Sequence, residues 1–260
     1  MELPGTGATV TSEPRRGTLI HRLIGVDPLG MPPVLTATLE SNLAGVRARI
    51  RSAAARRGGS SLVALVAVTK SVSPQRAAEL AALGQLDLGE NRADELERKA
   101  AWFAERGIRA RWHFLGHLQR NKVRRVAVRA DVLHSLDSIE LAVELDRAAG
   151  ELGRTIEVYV QLKLAPEAAK SGLDPAALPA LLETLSGLGQ LRFAGLMAMA
   201  PLSQDPAAAS AVFRELARRA RELGPDCRTS MGMSGDFELA IAAGADVVRV
   251  GSALFEELER

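Results

Sequence analysis

Cysteine, aromatic residues and long apolar runs are all scarce in this sequence, and each scarcity excludes something. The one cysteine is Cys227, so no disulfide framework can form within the chain, and a reducing compartment is the expected setting. Aromatic residues make up 3% of the 260 residues, too few for the stacking platforms that bind single-stranded nucleic acid. No uninterrupted apolar run is long enough to span a membrane, and the N-terminus shows no basic segment followed by an apolar one. A cytoplasmic protein with no membrane partner is the expectation. Neither sign of charge dominates: 33 Lys and Arg face 31 Asp and Glu, a formal net charge of +2. The densest basic run, Arg120-Asn121-Lys122-Val123-Arg124-Arg125, has the charge of a phosphate-backbone patch. Val123, Val126 and Val128 interrupt it, which is the pattern of a helix with one solvated face. Nucleic acid is therefore not an expected partner. Also absent are a Gly-x-Ser-x-Gly elbow, a P-loop and a dinucleotide fingerprint. His113 and His117 have the spacing of metal ligands, but Gly116 lies between them and no acidic or thiol partner is near in sequence, so no metal site is expected.

What is present is an apolar content of 47%, enough for a sizeable core, and a repeated local pattern. Residues 1–32 are rich in Pro, Gly, Thr and Arg without a sustained period and read as a loosely ordered extension. Leu39, Leu43, Val46, Ile50 and Ala53 then share one helical face, predicting a helix over Thr38–Arg56 that Gly58-Gly59 ends. From Ser61 onward, short apolar runs alternate with Ala-rich amphipathic stretches. The runs are Leu62–Thr69, Leu86–Gly89, Trp112–Leu115, Asp131–Ser135, Ile156–Leu162, Leu191–Met199, Arg228–Met231 and Val247–Val250. Helices are predicted to open near Pro74, Arg92, Leu118, Ser138, Pro175, Asp205, Ser234 and Ser252, the last running to Glu259. Eight strand-then-helix units over residues 33–260 point to an α/β fold, a single closed (β/α)8 TIM barrel. An open doubly wound sheet is the rival. The helix before the first strand would pack on the outside of the barrel or plug its bottom.

In such a barrel the chemistry gathers where strands end and the following loops begin. Lys70 closes the first apolar run. A lysine held in apolar surroundings loses its proton more readily, and a neutral amine can attack an aldehyde. A lysine snorkelling to solvent at a strand end fits the same residues. Ser230-Met231-Gly232-Met233-Ser234-Gly235-Asp236 runs from the seventh strand into a helix, with Ser234 as the expected N-cap. Val248-Arg249-Val250-Gly251-Ser252 repeats the arrangement after the eighth. Free backbone N–H groups at two adjacent helix starts suit a phosphate, and in TIM barrels the loops after strands seven and eight often hold one. An ordinary capped loop also accounts for either segment alone. Arg249 can only donate hydrogen bonds, to a neighbouring acid or to a ring nitrogen of a cofactor. Asn91 and His113, near the ends of strands two and three, can hydrogen-bond a ligand or serve the fold. Cys227 reads as a small packed residue.

Taken together, the segments LVAVTK (Leu65–Lys70), LGENR (Leu88–Arg92), WHFLGHLQRNK (Trp112–Lys122), HSLD (His134–Asp137), KSG (Lys170–Gly172), GLMAM (Gly195–Met199), SMGMSGD (Ser230–Asp236) and VRVGS (Val248–Ser252) resemble the YggS/PROSC family of pyridoxal 5′-phosphate (PLP)-binding proteins. The resemblance spans roughly residues 35–255. It implies a barrel like the N-terminal domain of alanine racemase, with PLP at its mouth and a role in vitamin B6 homeostasis. Carried over residue by residue, it implies a Schiff base on Lys70. Ser234, Gly251 and Ser252 would hold the phosphate, with the Met233 backbone. Arg249 would face the pyridine nitrogen, and Asn91 and His113 would line the cofactor. Lys170 would be a secondary PLP contact. Apo-forms of PLP enzymes are the implied partners, and the chain is expected to act as a monomer.

The sequence departs from the family pattern at three places. Val72 stands where many relatives carry a second lysine, Gln161-Leu162-Lys163 replaces a Gln-x-Asn, and Glu256 replaces a glycine. The only tyrosine, Tyr159, lies within a predicted strand, so the second acid/base of a racemase is not evident. Two alternatives stay open at this point. One is a PLP-dependent racemase or decarboxylase acting on amino acids, and the other is a barrel that binds a different phosphorylated metabolite.

Overall fold

A computed structural model of the chain describes residues 33–58, 62–165, 171–201 and 205–256. The expected N-terminal extension, Lys170 and the end of the last predicted helix lie outside them. The strands are β1 (Ala64–Val68), β2 (Asp87–Glu90), β3 (Arg111–Phe114), β4 (Val132–Leu136), β5 (Ile156–Gln161), β6 (Leu191–Met197), β7 (Arg228–Ser230) and β8 (Val247–Val250). Each pairs in parallel with the next, and β8 pairs with β1 to close the barrel. The closed eight-stranded barrel is thus observed, and the open-sheet rival is excluded.

The helices are α1 (Pro33–Arg57), α2 (Pro74–Ala82), α3 (Ala93–Glu105), α4 (Val123–Ala127), α5 (Ile139–Glu151), α6 (Leu178–Ser186), α7 (Pro206–Leu223), α8 (Phe237–Ala243) and α9 (Ser252–Phe255). Their starts follow local chemistry. Ser73 Oγ accepts from the Arg76 N–H ahead of Pro74, and Ser138 Oγ accepts from the Leu141 N–H. The region after β3 differs from expectation. A short 3-10 turn, Arg120–Lys122, precedes α4, so the α-helix begins at Val123. Its arginines pair with acids on neighbouring helices, among them Arg120 with Glu144 at 2.8 Å and Arg125 with Glu97 at 2.5 Å.

Strand alternation sorts the side chains into two layers. Leu65, Ala67, Leu88 and Phe114 point outward into the large core beneath the helices. Val66, Val132, Tyr159, Met197 and Val247 point inward and form a separate cluster inside the barrel. The inward layer is apolar at these positions on β1, β4, β5, β6 and β8. Its other positions carry polar groups, which build the site described below.

α1 packs on the outside of the barrel, and its buried face is the expected one: Leu39, Leu43, Val46, Ile50 and Ala53. It straddles the seam where β8 meets β1. Asn42 Nδ2 donates to the Leu254 carbonyl at 3.2 Å, Arg57 Nη1 donates to the Ala245 carbonyl at 2.9 Å, and Arg49 pairs with Glu238 at 2.8 Å.

Candidate functional site at the barrel mouth

Lys70 stands two residues beyond the end of β1, in a turn, and is exposed. This corrects the expectation of apolar surroundings. β1 stops at Val68, and the chain has already left the sheet when it reaches the lysine. What is buried lies directly beneath it. Lys99 of α3 is wholly enclosed and donates to Glu90 Oε1 at 2.6 Å and to the Thr69 carbonyl at 2.5 Å. The Thr69 hydroxyl donates to the same Glu90 oxygen at 2.6 Å. Burial pushes the Glu90 carboxyl up, against the opposing pull of Lys99 and Thr69. Glu90 Oε2 has no hydrogen-bond partner among the described residues. The backbone carrying Lys70 is therefore tied at Thr69 to a buried ion pair. Sequence reading missed Lys99, although a signal existed: it falls on the same helical face as Leu96, Ala100 and Phe103.

Arg249 lies near the end of β8, beside Val66 of β1 in the sheet register. It is 5% exposed, and burial pulls its guanidinium down to about 10, which leaves it charged at neutral pH. Its Nη1 donates to Ser230 Oγ at 2.6 Å and its Nη2 to the Ala198 carbonyl at 3.3 Å. Ser230 Oγ is 2.8 Å from His134 Nδ1, His134 Nε2 is 2.9 Å from His113 Nδ1, and His113 Nε2 is 2.9 Å from Asp87 Oδ1. Both ring nitrogens of His113 are thus engaged within the protein, and none is left to hydrogen-bond a ligand. Burial lowers both histidines below the ordinary imidazole value, His134 far below it. Asp87 and His134 received no role from the sequence. Polar residues on apolar strands were the available signal.

The two small-residue loops meet, though not as expected. α8 begins at Phe237, with Asp236 and not Ser234 at its N-cap. Asp236 Oδ1 accepts from the Met233 N–H at 2.6 Å. Ser234 reaches sideways instead, and its Oγ accepts from the N–H groups of Gly251 at 3.1 Å and Ala253 at 3.5 Å. The loops after β7 and β8 thereby converge on one oxygen. A Cβ on Gly251 would stand 3.2 Å from both Val68 Cβ and the Val68 carbonyl oxygen, so this loop lies against the end of β1 just below Lys70. Met233 and Ser252 are exposed beside it.

Asn91 is exposed at the end of β2. Its carbonyl oxygen packs so closely on the next loop that a Cβ on Gly116 would sit 2.0 Å away, and Ser135 Oγ donates to the Gly116 carbonyl at 2.6 Å. Lys163 is exposed after β5. Tyr159 is buried inside the barrel, its ring stacked on His134 with centroids 4.7 Å apart. Cys227 is half-buried, and burial pushes its thiol up to about 11, away from the thiolate form. His117 pairs with Asp137 at 3.3 Å, and no cluster of His, Cys, Asp or Glu among the described residues could hold a metal ion. No helix among them is long and apolar enough to cross a membrane.

Residues 41–258 match the model of the alanine racemase N-terminal domain family. A pyridoxal phosphate homeostasis protein of Pseudomonas aeruginosa is 38% identical over 221 residues, covering 84% of this chain and 95% of that protein. One from Deinococcus radiodurans is 42% identical over 212 residues, covering 81% and 97%. Among solved structures, PipY of Synechococcus elongatus with PLP bound is 39% identical with a TM-score of 0.74, over 84% of this chain and 99% of that one. Identity at this level over nearly the whole length of each relative, together with the shared barrel, places this chain in the pyridoxal phosphate homeostasis protein family, a branch of the alanine racemase N-terminal domain fold.

Proposed function

We propose that this chain holds PLP at the barrel mouth, tethered to the Lys70 amine, and serves intracellular vitamin B6 homeostasis. The observation that carries the reading is the PLP-bound relative PipY, similar over 84% of this chain. The residues fit the group. Lys70 is exposed above the loops after β7 and β8. The N–H groups of Gly251 and Ala253, now directed at Ser234 Oγ, suit a phosphate oxygen, and the Ser234 and Ser252 hydroxyls and Met233 backbone adjoin them. Arg249 offers a buried cation whose remaining N–H groups can meet the ring nitrogen. Asn91 borders the mouth, and His113 contributes from beneath.

When bound, PLP supplies an aldehyde for attachment to an amine and an electron-withdrawing ring. Arg249 would donate to the ring nitrogen and has no acceptor with which to keep a proton there, as a carboxylate has, so the residues favour retention over carbanion chemistry. Tyr159, the only tyrosine, is stacked on His134 inside the barrel and lends no second acid/base to the mouth. Apo-forms of PLP enzymes are the proposed recipients, and a monomer in the reducing cytoplasm is the proposed working form. Protein reconstituted with PLP should gain an absorption band near the visible edge that Lys70→Ala lacks. A wild-type protein without that band overturns the reading. Sustained conversion of any L-amino acid in a panel would overturn the non-catalytic role.

A further inference from the structure

Five side chains form one unbroken line through the barrel interior. It runs from Asp87, the first residue of β2 at the foot, through His113 on β3 and His134 on β4. It then crosses the barrel to Ser230 on β7 and ends at Arg249 on β8. No link is longer than 2.9 Å. We propose that Asp87 is a positioning residue for Arg249, and that the intervening chain is polarised in one direction so that Arg249 is held as a fixed donor at the cofactor ring. The inference rests on the PLP reading only for what Arg249 faces.

The direction follows from the two ends. A guanidinium has only donors, and an ionised carboxylate has only acceptors. Arg249 therefore donates to Ser230 Oγ. Ser230 is fully buried, and its own hydroxyl hydrogen needs an acceptor, which is His134 Nδ1. His134 must then carry its proton on Nε2 and donate to His113 Nδ1. His113 in turn carries its proton on Nε2 and donates to Asp87. At each link of the line one donor meets one acceptor, and both rings are the neutral Nε2–H tautomer.

The surroundings keep this state. Burial raises the Asp87 carboxyl, but His113, Arg111 and Arg228 outweigh it and hold the group below its ordinary value. Burial is also the main force keeping His134 neutral, and the nearby His113, Arg249, Arg111 and Arg228 add to it. His113 faces Asp87 and Arg111, with Asp131 farther off. Protonating His113 would place two N–H groups face to face at its bond with His134. Relief requires His134 to move its proton to Nδ1. Ser230 would then receive two donors while its own hydroxyl hydrogen lost its acceptor. A charge change at the foot thus reaches the hydroxyl that anchors Arg249. Asp87 is itself half-exposed, its side chain retaining 37% of its accessible surface. Solvent at the foot therefore has access to the lower end of the line.

The test begins with the apo-protein. Nitrogen-15 NMR of the imidazoles should show both His113 and His134 as Nε2–H tautomers; an Nδ1–H tautomer at His134 overturns the inference whether or not PLP binds. The holo-protein supplies the second readout. Asp87→Asn and His134→Phe, the latter keeping an aromatic ring against Tyr159, should shift the PLP band and its pH profile and speed PLP loss by roughly tenfold. Ser230→Thr, which keeps the hydroxyl, should restore wild-type values that Ser230→Ala loses. Folded variants with unchanged band, pH profile and release rate overturn the inference while leaving the PLP reading intact. A wild-type protein that takes up no PLP overturns that reading and leaves the tautomers to decide whether the line is polarised.

Discussion

Two buried polar networks lie beneath the mouth, one under Lys70 and one under Arg249, and they are built on opposite plans. The Lys99–Glu90–Thr69 group is compact and charged, with its full cation and anion in contact at 2.6 Å and one carboxylate oxygen left over. The Asp87–Arg249 line places its charges at the ends and only neutral groups between them. The first plan holds a backbone segment in place. The second relates two distant ends without burying a close ion pair. The difference teaches that a polar core can serve as an anchor or as a connection, and that the placing of charge decides which.

Breaking the anchor should have the largest effect. Lys99→Met leaves Glu90 buried without its cation and should cost about 3–5 kcal/mol of stability, read as a fall in the denaturant midpoint. Adding Glu90→Gln should recover much of that loss, because no bare charge remains. A Lys99→Met protein as stable as wild type would refute the anchor.

Gly116 lies near both networks, against Asn91, which follows Glu90, and accepting from Ser135, which follows His134. Gly116→Ala drives a Cβ into the Asn91 carbonyl at 2.0 Å and should cost about 1–3 kcal/mol through forced loop separation. Weaker PLP retention should accompany it. If retention is untouched while stability drops, the loop does not border the ligand.

The comparison also has a pH signature, and the signs differ. Glu90 binds its proton more tightly folded than unfolded, so its contribution falls as pH rises from the ordinary carboxylate value through the raised one. His113 and His134 bind theirs less tightly folded, so their contribution is lost as pH falls from the ordinary imidazole value near 6.5 through their depressed values. Asp87, held low, loses its contribution as pH falls through its depressed value. A stability profile of His134→Phe should lose part of the decline seen between neutral and mildly acidic pH. An identical slope in both proteins would place the histidines outside that transition.

The smallest effect is expected on the surface. Arg49 and Glu238 retain 49% and 36% of their side-chain exposure, so Arg49→Ala should change stability by at most about 1 kcal/mol despite good geometry. A larger loss would mean that α1 depends on this pair more than on its apolar face.

The barrel was legible because its strands are short apolar runs and its helices carry their own starts. Val247–Val250 was readable to the residue, while Leu62–Thr69 was too long by three residues, Leu62, Val63 and Thr69. That error made Lys70 look enclosed. The nearness of Lys70, Asn91 and Gly251 to strand ends was legible, since each follows its strand within two residues. Ser234 was misassigned because Ser-Gly-Asp offers two capping residues, and only the approach of Gly251 draws the serine away. The polar line was not legible, since His134 and Ser230 are 96 residues apart and meet only when the barrel curls. Lys99 shares a helical face with Leu96, Ala100 and Phe103, but its partners Thr69 and Glu90 reach it only in the folded barrel.

The seam under α1 has a bearing on how the molecule comes into being. Lys70 follows the first strand and Gly251 the last, and the register joining these strands is the most distant strand pairing among the described residues. Contacts so far apart in sequence form slowly, because the intervening chain must first give up its freedom. Neither a nascent chain nor a partly unravelled one brings Lys70 to the loops after β7 and β8. Capture of the vitamin would therefore mark the completion of folding, and its loss on heating should report the opening of this ring before the strands themselves melt.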